Sequence, residues 1–160
     1  MISFPISGGH FNFRAAGVCI DEGHVLLHRS VSDDFWSLPV GRVELGEDSS
    51  TTLRRELCEE LGVDSSAGRL LWIVENFFTY GETQHHELGM YYLVSFKREA
   101  AIYDKTRVHE GLEDIDLRLI FRWFPLDTLP DVLLFPTFLR NGLRELPLHP
   151  THIVHIDRDG

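Results

Sequence analysis

Cysteine, basic charge and long apolar runs are all scarce in this 160-residue chain, and each shortage excludes something. The two cysteines, Cys19 and Cys58, form no spaced framework. That excludes a disulfide scaffold and suits reduced thiols in a reducing compartment. No apolar run approaches the ~20 residues of a membrane span. The N-terminal stretch MISFPISGGHFNFR lacks the basic and apolar regions of a signal peptide. A cytoplasmic location is therefore expected. Lys and Arg number 15 against 25 Asp and Glu, a formal charge of −10. Such a surface disfavours nucleic acid and anionic membrane as partners. It does not disfavour a small phosphorylated substrate, because a bound divalent cation can invert the local sign.

Hydrophobic residues at 43% and charged ones at 25% describe a soluble globular protein. The length suits one domain, residues 1–160, with a sizeable core. No internal repeat, low-complexity segment or domain boundary interrupts it. A homodimer stays open.

Residues 41–63, GRVELGEDSSTTLRRELCEELGV, organise the rest. A loop with Gly41 and Gly46 is rich in acid, and a helix is expected to follow. At about 100° per residue, Glu56 and Glu60 stand one above the other and Glu59 lies within the same arc. Leu53, Leu57 and Leu61 form an adjacent apolar stripe that would hold the helix to a core. Crowded carboxylates on one face repel, and no lysine occurs within 41–63 to relieve them. Oxygen-only ligands suit a hard cation, Mg2+ or Mn2+, rather than zinc. Mg2+ is usually held by a few carboxylates together with substrate phosphates, which suggests phosphate-ester or phosphoanhydride chemistry. The bland alternative is an amphipathic helix with an acidic surface.

The full pattern is more specific than its acids. Gly41, five residues, Glu47, seven residues and then Arg55-Glu56-Leu57-Cys58-Glu59-Glu60-Leu61-Gly62-Val63 resembles the signature box of the Nudix hydrolases at every defined position. The resemblance covers only residues 41–63. It implies an α/β fold, the Nudix α/β/α sandwich with a mixed β-sheet between helices. It also implies a metal-dependent pyrophosphohydrolase with Mg2+ or Mn2+ as cofactor, whose partner is a small-molecule nucleoside diphosphate derivative. Under this resemblance Glu56, Glu59, Glu60 and the Val40 carbonyl are the metal ligands. Many family members carry glycine where Val40 stands, but a carbonyl ligand needs no particular side chain. Gly41, Glu47, Arg55 and Gly62 would support the site, with Glu47 and Arg55 pairing loop to helix. An ordinary helix-end ion pair is the alternative for those two. A carboxylate outside the metal shell would take the proton of the attacking water. A box glutamate or an acid on a distant loop does so in different members; here Glu99, Glu110 and Glu113 are candidates, with Glu113 favoured.

Along the chain, residues 1–10 read as a loose lead-in. Residues 11–20 and 24–29 read as strands joined in a hairpin by Asp21-Glu22-Gly23. Residues 35–39, FWSLP, resemble the short tryptophan-containing strand that precedes the box in many members. Asp48, Ser49 and Ser50 offer oxygens to cap the box helix, and Gly62 ends it. Strands are expected at 70–78, 87–96 and 117–124, with an irregular charged loop at 97–116. Residues 136–146 read as a second helix with the stripe Leu139, Leu143, Leu146, and 152–156 as a last short strand.

Nine histidines invite a metal centre, but His85 and His86 would point to opposite strand faces, as would His152 and His155. Trp36, Phe77, Phe78 and Tyr80 could stack on a base, although strand aromatics are more often core. Trp36 and Tyr80 are the substrate-binding candidates. Tyr80 falls seventeen residues beyond Val63, which resembles the placement of a tyrosine associated with diadenosine polyphosphate hydrolysis in the family. The proline spacing of ADP-ribose enzymes and the coenzyme A signature are absent. The competing expectation is a Nudix fold kept as a nucleotide or metabolite sensor without turnover. Such proteins usually lose box carboxylates, whereas this box is whole.

Overall fold

Both faces of the β-layer are covered, and that decides where every element lies. The computed structural model describes residues 1–114 and 117–157, with only the backbone at 113 and 114. Its strands are β1 (Ser3–Ile6), β2 (Gly9–Val18), β3 (Ile20–Asp21), β4 (His24–Ser30), β5 (Val40–Arg42), β6 (Ser65–Tyr80), β7 (Thr83–Phe96), β8 (His109–Asp114), β9 (Leu117–Pro125) and β10 (Thr151–Asp157). The helices are α1 (Ser49–Leu61) and the single-turn α2 (Leu139–Gly142), with 3-10 turns at Ala101–Tyr103 and Leu126–Asp131.

A mixed sheet runs β1-β2-β7-β6-β10, with β5 paired to the same edge of β2 as β1. The β2–β7 and β6–β10 pairs are parallel. The second sheet, β3-β4-β9-β8, is antiparallel. On one side Leu53 and Leu57 of α1 meet Ala15, Leu26, Val94, Phe96 and Phe121. Complete burial of each leucine is worth roughly 1.5–3 kcal/mol. On the other side Leu129, Leu134, Leu139 and Leu143 cover Ala16, Leu27, Val74 and Tyr91. The result is an α/β arrangement with a mixed sheet flanked by helices, as the sequence implies. No helix among the described residues is long and apolar enough to cross a membrane.

Four expectations need correction. The lead-in holds a strand, β1, whose edge position tolerates Pro5 because no ladder bond is required on its outer side. The expected hairpin of 11–20 with 24–29 shrinks to β3 with β4. β2 is instead flanked by β1, β5 and β7, and the chain crosses between sheets at buried Cys19, whose carbonyl accepts from Leu26 N at 3.0 Å. The charged loop at 97–116 contains β8, an edge strand, where charge is compatible with pairing on one side only. The second helix is one turn long: Leu139 and Leu143 are buried as their spacing predicts, but Asn141 and Gly142 are poor helix formers.

Candidate active site

The acid-bearing helix is fixed at both ends. The Asp48 carboxylate accepts from Thr51 N at 2.9 Å and from the hydroxyls of Ser50 and Thr51. Those bonds, the Ser50 hydroxyl foremost, hold its carboxyl down at about 2. Gly62 closes the helix in the left-handed region at φ 68°, donating to the Cys58 carbonyl. With Leu53 and Leu57 buried, the acids take the side toward β5 and β8. Glu59 is exposed, Glu56 is mostly covered, and Glu60 is buried at 6% exposure.

Arg55 ties this face together. Its guanidinium donates to Glu47 at 3.0 Å from both Nε and Nη2, to Glu56 at 3.1 Å and to Glu59 at 3.3 Å. A further bond from Nη2 reaches the Arg42 carbonyl at 3.3 Å, so one side chain joins loop, helix and β5. Glu47 also accepts from the Thr52 hydroxyl. The bond from Arg55, helped by Thr52, lowers the Glu47 carboxyl, and Glu47 in turn raises the Arg55 guanidinium.

Close approach explains two glycines. A Cβ on Gly41 would stand 2.0 Å from Glu56 Cγ, so only glycine lets β5 lie against that acid. A Cβ on Gly111 would stand 2.7 Å from the Glu60 carbonyl oxygen, which brings β8 against the end of α1. On either side of β5, Pro39 O accepts from Gly17 N and Val43 N donates to Phe13 O. Antiparallel alternation then turns the carbonyls of Val40 and Arg42 away from β2, to the edge where Arg42 meets Arg55.

Val40 and Arg42 also line a cleft of ≈ 450 Å³ on the other face of the sheet, which the box acids do not line. Its rim is aromatic. Phe35 makes edge contacts with Tyr80 at 6.0 Å and Phe135 at 5.7 Å, and Phe78 stacks on His85 at 4.9 Å. The Tyr80 hydroxyl donates to Asp33 at 3.1 Å, and the Asp33 charge raises its phenol. The floor is polar and buried: Asn76, Glu87 and His28 are 4%, 7% and 6% exposed, with Arg14 beside them. Burial, reinforced by the Arg14 charge, lowers His28 to about 4. Burial raises the Glu87 carboxyl against the opposing pull of Arg14.

The NUDIX domain family model matches residues 11–146, most of the chain. The chain belongs to the Nudix family. It is similar to rat (Rattus norvegicus) diphosphoinositol polyphosphate phosphohydrolase 2, 32% identical over 128 residues, covering 77% of this chain and 63% of that protein. It is also similar to the RNA pyrophosphohydrolase of Haemophilus ducreyi, 35% identical over 63 residues, covering 39% of this chain and 32% of that one. The chain spans about a third of the length of the first curated relatives it matches. Among solved structures, a mutator MutT protein from Bacillus halodurans superposes with a TM-score of 0.61 at 14% identity, covering 92% and 91% of the two chains, which shows the shared fold.

Within this Nudix domain the structure brings Val40, Gly41, Glu47, Arg55, Glu56, Glu59, Glu60 and Gly62 into one neighbourhood. Among the described residues no three of His, Cys, Asp or Glu converge as a ready metal centre. Glu56 and Glu59 are turned onto Arg55 instead. The donor set still fits a hard cation by type, and Gly41 leaves Glu56 room beside the β5 edge. Glu113 lies on β8 at a pairing irregularity, but its side chain is outside the described residues. Glu110 is exposed and pairs with Arg118 at 3.1 Å, and Glu99 is exposed in the turn after β7. Trp36 packs on Phe124 at 4.8 Å and does not line the cleft, whereas its neighbour Phe35 does. The histidine pairs are parted: His86 meets Phe77 and His85 meets Phe78, on opposite faces. Sequence reasoning missed Glu87 and Asn76. Their signal was that apolar residues occupy both faces of β7, which marks a strand covered on both sides.

Proposed function

We propose that this Nudix domain is a metal-dependent pyrophosphohydrolase cleaving the phosphoanhydride of a nucleoside diphosphate linked to a second group. The observation that supports it most is the Arg55-organised acid face of α1, lying against β5 at Gly41 with a cleft across that strand. The names of the rat and Haemophilus relatives, both phosphohydrolases of phosphorylated compounds, point the same way.

Glu56, Glu59, Glu60 and the Val40 carbonyl would hold Mg2+ or Mn2+. When bound, such an ion neutralises the diphosphate and lowers the pKa of an attacking water. Arg55 holds Glu47, Glu56 and Glu59 in place, so the loop and the helix present their oxygens together. Glu113, on the strand that Gly111 brings against α1, is proposed as the acceptor of the water's proton. The cleft seats the organic part of the substrate, with Tyr80 and Phe35 at its rim excluding water from the diphosphate. The substrate is a small molecule, and with a charge of −10 the chain is poorly suited to RNA.

A second reading, a sensor that binds without turnover, draws on the pairing of Glu56 and Glu59 with Arg55. One panel separates the two. Nucleoside triphosphates, nucleotide sugars, ADP-ribose and dinucleoside polyphosphates are incubated with the protein with and without Mg2+ or Mn2+. Hydrolysis of at least one, dependent on metal, is expected. Saturable binding with no metal-dependent product anywhere in the panel overturns the enzyme reading.

A further inference from the structure

The floor of the cleft has hydrogen-bonding capacity that the protein itself does not use. Asn76 and Glu87 are direct cross-strand partners on β6 and β7, so their side chains share a face. Phe78 and His85, the next pair along that face, stack on one another. Four residues lining the cleft each hold a buried side-chain atom that makes no hydrogen bond: Arg14 Nε, His28 Nδ1, Asn76 Oδ1 and Glu87 Oε2. Arg14 Nε lies 3.2 Å from Glu87 Oε2, in ionic contact but not aligned as a donor to it. Leaving such a group buried and unsatisfied destabilises the fold. Several lining one cleft mark a place where a ligand completes the bonding.

The chemistry of these atoms selects the ligand. Glu87 Oε2 and Asn76 Oδ1 are acceptors, so together they call for two adjacent donors. Arg14 offsets the Glu87 charge, so the donors belong to an uncharged group. The surrounding rings of Phe35, Phe78, Tyr80 and Phe135 favour a flat one. Among the common bases, the edge of guanine presents two neighbouring N–H donors. Adenine presents one donor beside an acceptor, cytosine one donor beside two acceptors, and uracil one donor between two acceptors, so none offers two adjacent donors.

We propose that the cleft seats the base of the substrate and that Glu87 and Asn76 are its specificity-determining residues, reading a guanine-type edge with two adjacent N–H donors. This rests on the pyrophosphohydrolase reading for the identity of the site, but it is tested without hydrolysis. A site built around such donors rejects analogues that lack them, because its own acceptors are then left unpaired.

The test is equilibrium binding of nucleoside monophosphates to the full chain in chelator, followed by calorimetry. GMP should bind at least about tenfold more tightly than IMP, which lacks the exocyclic amine, or AMP, which reverses the pattern. dGMP should bind like GMP. Glu87→Gln replaces one acceptor by a donor and should reduce the preference to less than about threefold. Asn76→Ala leaves the Arg14–Glu87 pair intact and carries the same expectation should Glu87→Gln fail to fold. Glu60→Gln, across the sheet, should keep the preference. Equal binding of GMP, IMP and AMP, no binding of any of them, discrimination by the 2′-hydroxyl, or an unchanged preference in both folded variants would overturn the proposal. Since no metal is present, absent turnover leaves this result untouched, and a metal-dependent hydrolase indifferent to the base overturns this proposal alone.

Discussion

At Gly41 a hydrogen in place of a methyl group lets β5 lie against Glu56. Gly41→Ala would put a carbon 2.0 Å from Glu56 Cγ, so the strand or the acid must move. Overpacking of this kind typically costs about 1–3 kcal/mol. The variant should show a lower Tm and turnover reduced more than stability alone explains, measured at a temperature where it is fully folded. Unchanged turnover would show that the Glu56 position is not critical. The residues of this neighbourhood were legible in the sequence because type and spacing within one helix and its preceding loop define them. Glu87 and Asn76 were not, since their meaning comes from pairing across a hairpin. A lone glutamate in a strand ordinarily faces water.

At the scale of the element, α1 was legible almost to the residue. Its cap, its leucine stripe and its terminating glycine are all local signals, and all act as their chemistry predicts. Asp48→Ala should lower the Tm of the metal-free protein by a few degrees while leaving metal-dependent turnover close to that of the wild type. β8 and α2 were misread for opposite reasons. β8 is an edge strand whose charge resembles that of a loop, and its place is set by Phe121 and the Glu60 backbone closing on Gly111. The leucine spacing around α2 reports burial correctly, but burial there is achieved with a single helical turn. Gly111→Ala should therefore reduce stability and turnover together, since β8 must shift away from α1. Thermal melts and turnover assays on that variant check the coupling.

For the molecule as a whole, two cores back to back hold a polar cleft on one face of the mixed sheet and an acid cluster near its edge. The cleft's buried His28 makes stability depend on pH. In the unfolded chain an imidazole takes up its proton near 6.5, whereas the folded His28 resists until about 4. The unfolded state thus binds more protons across that window, and folding stability falls as pH drops from ~6.5 toward ~4. His28→Leu removes this dependence. Urea unfolding at about pH 7.5 and about pH 5 should show a larger loss for the wild type than for the variant. Equal losses would show that His28 titrates normally in the folded protein.

The central claim is that the acid face of α1 carries metal-dependent turnover, with Glu47 acting only through Arg55. The most direct measurement is the Mn2+-dependent turnover number of Glu60→Gln beside that of Glu47→Gln, on the best substrate of the panel. Glu60→Gln keeps size and loses a proposed ligand's charge, so turnover should fall by orders of magnitude. Glu47→Gln loosens the hold on Arg55 and should cost roughly 10–100-fold. Near wild-type turnover in Glu60→Gln would contradict the assignment of the metal site to this face.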